Sequence, residues 1–166
     1  MNLATQLASH KAAIVKKWNE RVLANYPKET ARFLDSQKDP FQNPVGRHNL
    51  QSLQSLVDLL GGDPDPEALR KALDPIIRIR AIQDFKPSKA VGFVFDLKIL
   101  LRDIRPEIKI DAHQWQLLDR RIEEMALAAF DLFMECREKI YDLKADDIRE
   151  RTYKAFARAG LVKDPI

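Results

Sequence analysis

From Asp111 to Ala159 the chain contains neither proline nor glycine, an uninterrupted run of nearly fifty residues. Proline breaks helices and glycine weakens them, so this run permits a helix far longer than the roughly 12 residues that are usual in globular proteins. Asp111 and Gln114 have the spacing of a capping box at its start. We predict either one long helix or two helices with a bend near Asp146-Asp147. Both alternatives indicate an all-α chain.

The preceding part of the chain marks helix starts with proline. Six of the nine prolines follow Asp or Asn, and such an N-cap followed by proline at the first helical position is a favoured helix start. Asn43-Pro44, Asp65-Pro66 and Asp74-Pro75 each precede an apolar helical pattern. The pattern predicts a first helix over about 3–26, with Leu7, Ile14, Trp18 and Val22 on one face. It predicts further helices over about 28–34, a third ending at Gly61-Gly62, one or two helices over 67–83 with a break or bend near Asp74-Pro75, and a fifth from about 87 to before Pro106.

The fifth helix is expected to be the most buried, because its apolar residues cover more than half of its circumference. These residues are Val91, Val94, Phe95, Leu97, Ile99, Leu100 and Leu101. The run VGFVF also fits a buried strand, but Lys98, Arg102 and Asp103 return at helical spacing and favour a helix. We therefore predict an all-α bundle of about six helices with a long C-terminal helix, forming one domain over residues 1–166.

The long last helix carries a heptad-like apolar seam. Its residues alternate spacings of four and three: Leu118, Ile122, Met125, Ala129 and Leu132. The opposite face also carries Leu127, Phe130 and Phe133, so the helix is expected to pack on two sides up to about Leu143. A helix with two apolar faces serves both its own core and a twin. We predict that the seam residues form a dimer helix.

Composition excludes several classes of function. The net charge is only +3, from 28 Lys and Arg against 25 Asp and Glu, which argues against nucleic-acid binding. No segment approaches the roughly 20 apolar residues of a membrane span, and the first residues lack the apolar core of a signal peptide. A single cysteine, Cys136, fits a reducing compartment. We expect a cytoplasmic protein that binds no nucleic acid and does not span the membrane.

Catalytic and metal-binding patterns are missing from the sequence. It contains no phosphate-binding loop, nucleophile elbow or zinc-protease motif, and no E-x-x-H pair of a di-iron bundle. His10, His48 and His113 fall on three different predicted helices among polar neighbours, which is unlike a haem ligand in an apolar wall. We expect no enzyme activity and no cofactor.

Two further features carry predictions. The aromatic residues Phe93, Phe95 and Trp115 are most simply core residues, but they are also the candidate lining of a small-molecule pocket. That alternative describes a ligand or cofactor carrier associated with a redox or respiratory complex.

The stretch KDPFQNPVGR at 38–47 is the second feature. Its prolines stiffen a turn, Asn43 caps the next helix and Phe41 is expected to plug between helices. Phe41, Asn43, Pro44 and Gly46 are therefore predicted as structurally special residues of a rigid connector, and not as a catalytic loop.

Three blocks carry a resemblance to a known family: Trp18 with Tyr26-Pro27, DPFQNPVGR at 39–47, and FKPSKAVGFVFDLKILLRDI at 85–104. Their order and separation resemble the N-terminal domain of the RsbRD-type co-antagonists, bacterial stressosome-associated regulators that control the RsbT switch kinase. The likeness covers residues from about 10 to 145.

The resemblance implies a helical sensory and dimerisation module, similar to the globin-like, haem-free fold of stressosome sensors. In full-length members a STAS domain follows, whereas this sequence ends at Ile166 with no strand pattern. We therefore expect a stand-alone input domain in stress signalling, homodimeric, with a regulatory partner of STAS or switch-kinase type. No catalytic residues are implied.

Overall fold

The computed structural model describes residues 2–36, 39 and 41–162. Over these residues the chain forms seven α-helices and one 3-10 turn, without a strand, which confirms the all-α prediction. The elements are α1 (Leu3–Leu23), α2 (Lys28–Ser36), α3 (Pro44–Leu60), α4 (Pro66–Ile82), α5 (Pro87–Val91), the 3-10 turn (Gly92–Val94), α6 (Asp96–Asp103) and α7 (Ala112–Arg158). The segment from α5 to α6 corresponds to the predicted fifth helix.

Helices begin at the capping side chains that the sequence predicts. The Asp65 carboxylate accepts a hydrogen bond from the Ala68 amide at 3.2 Å, with Pro66 at the first helical position of α4. Asp111 and Gln114 exchange the two bonds of a capping box at 2.8 and 3.1 Å. These contacts satisfy amides that have no partner within the helix.

Asp74-Pro75 does not start a helix, because Pro75 lies inside the continuous helix α4, so the single-helix alternative for residues 67–83 is confirmed. An internal proline costs about 3 kcal/mol. The apolar face of α4 continues across it, and Leu73, Ile76 and Ile77 are each 0% exposed. Burying three such side chains contributes about 1.5–3 kcal/mol each, which outweighs the cost of the proline.

The predicted fifth helix is interrupted, and the prediction of one continuous helix is wrong. The 3-10 turn begins at Gly92 and separates α5 from α6. Side chains bind the backbone on either side of Gly92. Arg80 Nη1 donates to the carbonyls of Lys89 and Ala90 at 2.9 and 3.2 Å, and Trp18 Nε1 donates to the Phe93 carbonyl at 2.7 Å. These donors stabilise the interruption because they bond carbonyls that an unbroken helix pairs internally.

The helices pack in a chain of neighbours. α1 packs on α3, α3 on α4, and α4 on α7, while α5 and α6 close the bundle against α7 and α1. The predicted core face of α1 is confirmed, since four residues are at most 2% exposed: Leu7, Ile14, Trp18 and Val22. They belong to one cluster of buried residues that reaches from α1 to α7.

α7 is a single helix of 47 residues, about 70 Å long, and it continues through Asp146-Asp147. The alternative of two helices is therefore wrong. Up to Ile140 it packs against the globule. Residues 141–158 are exposed except for the half-buried Ala145, so a segment of roughly 25 Å extends from the globule. No helix in the described ranges is long and apolar enough to cross a membrane.

Candidate functional site

The connector before α3 is built around Asn43. This residue is the N-cap of α3, as predicted, and its Oδ1 accepts a hydrogen bond from the Gly46 amide at 2.8 Å. Its Nδ2 donates to the Leu34 carbonyl at 2.8 Å, which ties the start of α3 to the end of α2. Pro44 occupies the first helical position. The connector is therefore fixed from both sides by one buried carboxamide.

Gly46 is tightly enclosed in this connector, whereas Phe41 is exposed. A Cβ on Gly46 would lie 2.3–2.7 Å from the Asn43 side-chain atoms and 2.7 Å from the Leu34 carbonyl, so only glycine fits without a shift. Phe41 is 95% exposed, and the prediction that it plugs between helices is wrong. The Asn43 bonds close this corner without an aromatic side chain. Pro40 lies outside the described residues.

The most unusual buried residue is Arg80 on α4. It is 0% exposed, and no carboxylate of the described residues forms an ion pair with it. Arginine is almost never fully buried unless it is paired. Burial lowers the pKa of Arg80, as expected for a charge removed from water. Such a residue is a candidate for function as well as for structure.

Sequence reasoning missed Arg80, although a signal was present. Arg80 follows Leu73, Ile76 and Ile77 by seven, four and three residues, the spacing of one helix face. A charged residue on that apolar face had to be either buried or at its edge. The pattern thus points to Arg80 once the face is known to be the buried one.

Aromatic rings surround the Arg80 guanidinium. Its central carbon lies 4.8 Å from the centroid of the Phe93 ring and 5.1 Å from that of Phe85. Trp18 stacks on Phe93 at 5.9 Å, and Tyr26 meets Phe85 edge-on at 5.5 Å. Cation–π attraction of this kind stabilises a desolvated cation. We call Tyr26, Asn49, Arg80, Phe85 and Phe93 the Arg80 cluster.

The polar atoms of the Arg80 cluster are only partly paired. Within the described residues, Arg80 Nε and Nη2, the Tyr26 hydroxyl and both carboxamide atoms of Asn49 have no hydrogen-bond partner. Burial raises the pKa of Tyr26, while the Arg80 charge and hydrogen bonding to Asn49 and Arg80 lower it, so the three groups are near neighbours. Their mutual contacts are too loosely aligned to pair these buried atoms fully. Buried polar groups normally have partners, so the hydrogen-bonding capacity of this cluster is only partly used.

The predicted pocket residues do not come together. Phe93 is 1% exposed and belongs to the Arg80 cluster, whereas Phe95 is 47% exposed on the opposite side of the turn. Trp115 lines a different groove, where Arg105 lies 5.2 Å above its ring. The prediction of one pocket lined by all three is corrected, because the 3-10 turn directs consecutive aromatic residues to different surroundings.

The predicted dimer seam is also corrected. Its five residues are at most 2% exposed within the chain itself: Leu118, Ile122, Met125, Ala129 and Leu132. They pack in the core, mainly where α7 meets α4. The heptad spacing therefore reflects intramolecular packing, and these side chains are not available to a second chain.

The second predicted face of α7 remains partly open. Phe133 is buried, but Leu127 is 67% and Phe130 46% exposed. With Phe95 they line an apolar groove of about 680 Å³ between the α5–α6 segment and α7. Met134, Tyr141 and Ile148 continue the stripe at seven-residue spacing and are exposed as well. We call these six residues the outer face: Phe95, Leu127, Phe130, Met134, Tyr141 and Ile148.

Arg137 anchors α7 at the point where it leaves the globule. Its guanidinium binds the Asp84 carboxylate, donates to the Ala81 carbonyl at 3.2 Å and donates to the Tyr141 hydroxyl at 2.6 Å. Asp84 has a φ of 62°, and the Phe85 amide donates to the Arg80 carbonyl at 3.2 Å. This is the pattern of a Schellman end of α4. Arg137 therefore links the end of α4, next to the Arg80 cluster, to the exit of α7.

Comparison with known proteins identifies the family of this domain. The chain is an all-helical domain without a group of three or more metal-ligating side chains in its described part. Residues 12–147 match the family described as the RsbT co-antagonist protein RsbRD N-terminal domain. The chain belongs to this family, which comprises regulatory, stressosome-associated helical domains.

One relative extends the comparison. The chain is 29% identical over 132 residues to an uncharacterized protein of Archaeoglobus fulgidus, covering 79% of this chain and 80% of the relative. No solved structure matches the chain, so the globin-like arrangement stays a prediction.

Proposed function

We propose that this chain is a single, non-enzymatic regulatory domain that acts as a homodimer and passes its state to a protein partner in the cytoplasm. Family membership supports the regulatory role. The observation that carries the proposal is the outer face, which runs from the apolar groove onto the segment of α7 that extends from the globule. A contiguous exposed apolar surface marks an interaction site, whereas scattered apolar residues do not.

The spacing of the outer face favours a second copy of the same chain. Leu127, Met134, Tyr141 and Ile148 recur every seven residues, the repeat that pairs helices. In a parallel pair each of these residues lies opposite its own copy around a twofold axis. Both chains then cover the same residues, and the two extended segments emerge side by side.

Charges beside this stripe also favour the parallel orientation. One flank carries the acidic row Glu124, Asp131 and Glu138, and the other carries the basic row Lys144 and Arg151, which follows Arg137 at the same spacing. A parallel twofold sets the acidic row of one chain beside the basic row of the other. An antiparallel pair brings each row against itself, and like charges repel.

The extended part of α7 is the proposed output element. It carries its own ion pairs, Asp146 with Arg149 at 3.1 Å and Asp147 with Arg151 at 3.0 Å, which support an isolated helix. A partner of STAS or switch-kinase type would contact this segment. A signal acts by favouring one of two arrangements of the paired helices. The free energy by which it shifts their equilibrium equals the difference between its binding free energies for the two arrangements.

Sedimentation equilibrium of matched variants tests the dimer. Leu127→Glu places a charge on the outer face, while Leu143→Glu changes a residue of similar exposure, 61% against 67%, that lies off the stripe. Losing two buried leucines per dimer costs about 3 kcal/mol, which raises the dissociation constant about 100-fold. We expect a monomer for Leu127→Glu and a dimer for the wild type and Leu143→Glu. A monomeric wild type, or equal dimerisation of both variants, contradicts the proposal.

A further inference from the structure

The unpaired atoms of Arg80 share one edge of its guanidinium. Nη1 is used by the carbonyls of Lys89 and Ala90, and the atoms without a partner in the described residues are Nε and Nη2. The N–H groups of Nε and Nη2 point the same way. This is the edge with which arginine binds a carboxylate through two parallel hydrogen bonds.

Further groups without partners lie next to this edge. The Tyr26 hydroxyl and the Asn49 carboxamide are buried near the guanidinium and are also unpaired among the described residues. The Phe85 ring contacts both Tyr26 and Arg80, so these side chains lie together. A buried cation with no anion is costly. One anion with two acceptor oxygens would satisfy Nε, Nη2 and the Tyr26 hydroxyl together.

We propose that Arg80, Tyr26 and Asn49 bind a small carboxylate anion. Its two oxygens accept from Nε–H and Nη2–H of Arg80, and one of them also accepts from the Tyr26 hydroxyl. The rings of Phe85 and Phe93 flank the guanidinium and exclude water, which strengthens the ion pair.

The Phe85 ring lies between the Arg80 guanidinium and a groove on the surface. On its outer side lies a groove of about 420 Å³, also lined by Asn25, Gln83, Lys86 and Lys89. Phe85 is half-buried, so its ring belongs both to the groove and to the cluster. Asp84 also lines the groove, but Arg137 pairs with its carboxylate. The two lysines therefore attract an anion to the groove, and a rotation of the Phe85 ring admits it to Arg80.

This inference names the class of signal for the sensory role proposed above and rests on that role for its biological meaning. The end of α4 joins the cluster to Arg137 on α7, so occupation of the cluster is coupled to the exit of α7. Anion binding and dimerisation are read by different measurements. A monomeric wild type that still binds formate contradicts the dimer proposal alone, whereas a dimeric wild type that does not bind formate contradicts this inference alone.

The test is an NMR titration of the ¹⁵N-labelled full chain with sodium formate, at an ionic strength kept constant with sodium chloride. The signal observed is the Arg80 Nε–H, assigned through its contacts with the ring protons of Phe85 and Phe93. We expect a saturable shift with a Kd of about 1 mM or tighter, and no such shift with chloride alone.

Two tyrosine variants separate a built site from a general ion effect. Tyr26→Phe keeps the ring on Phe85 but removes the hydroxyl, so formate binding should weaken about tenfold. Tyr141→Phe removes a hydroxyl that binds Arg137 and should leave formate binding unchanged. A titration without saturation overturns the proposal. A shift that is equal in Tyr26→Phe and the wild type means an adventitious ion only and overturns it too.

Discussion

Arg80 and Trp18 show how single side chains shape this molecule from a distance in sequence. Each donates to a backbone carbonyl on one side of Gly92, and together they fix the turn between α5 and α6. Trp18 lies 75 residues before the carbonyl that it binds. This 3-10 turn places Phe93 in the core and Phe95 in the apolar groove beside α7. Three hydrogen bonds from these two side chains therefore separate a buried cluster from an exposed interaction surface.

Gly46 and Gly92 are predicted to respond oppositely to alanine. Alanine normally stabilises a helical position by about 0.5–1 kcal/mol relative to glycine. A Cβ at position 46 meets Asn43 and the Leu34 carbonyl within 2.7 Å, whereas a Cβ at position 92 has nothing within 4 Å. We expect Gly46→Ala to lower the free energy of unfolding by about 1–3 kcal/mol and Gly92→Ala not to lower it. Urea unfolding measures both, and an unchanged Gly46→Ala contradicts the Asn43 corner.

These positions also show what local sequence can predict. The cap at Asn43 was predictable because its partners lie within three residues and proline follows it. The environment of Phe41 was not, because a turn does not indicate whether its aromatic residue faces a neighbouring helix. Arg80 was detectable only as a charge on an apolar helix face, and its aromatic neighbours come from other segments.

The helices illustrate the same limit for longer segments. Periodicity located the core faces of α1 and α7, since the spacing of apolar residues reflects the helical repeat. It did not distinguish which face of α7 a neighbour in the same chain covers. The seam from Leu118 to Leu132 is buried, while Leu127 and Phe130 are open. Asp74-Pro75 does not start a helix, because the local preference for a helix start is weaker than the packing of α4.

The link between α4 and α7 is predicted to weaken in acid. The hydrogen bond and charge of Arg137 lower the pKa of Asp84. A carboxylate with a lowered pKa stabilises the fold above its unfolded value, about 3.9 for Asp, and this contribution is lost as the pH falls through the folded pKa. Asp84→Asn tolerates the positive φ but removes the charge. We expect a lower Tm at pH 7 and a smaller further decrease between about pH 5 and 2 than in the wild type.

The control for this prediction is Asp142→Asn, which removes an exposed charge of α7 that lies away from the Arg137 contact. Its Tm should follow that of the wild type at each pH. Parallel pH profiles for Asp84→Asn and the wild type would show that the ion pair does not support the exit of α7.

Taken as one structure, the chain combines a closed helical core with one helix that continues beyond it. The core supplies a buried cationic cluster, and α7 supplies an apolar stripe that begins in a groove and ends on an isolated segment. Arg137 joins the two through the end of α4. This arrangement suits a regulatory domain in which a change inside the bundle alters how two copies of α7 meet.

Disulfide cross-linking at position 148 tests the parallel dimer most directly. In a Cys136→Ala background, Ile148→Cys places a thiol on the outer face, and Leu143→Cys places one off the stripe at nearly the same exposure, 61% against 63%. A parallel pair brings two copies of residue 148 within the roughly 4.4–6.8 Å between Cα atoms that a disulfide spans. Under mild oxidation we expect a covalent dimer for Ile148→Cys and little for Leu143→Cys. Equal yields, or no covalent dimer at position 148, would contradict the parallel dimer.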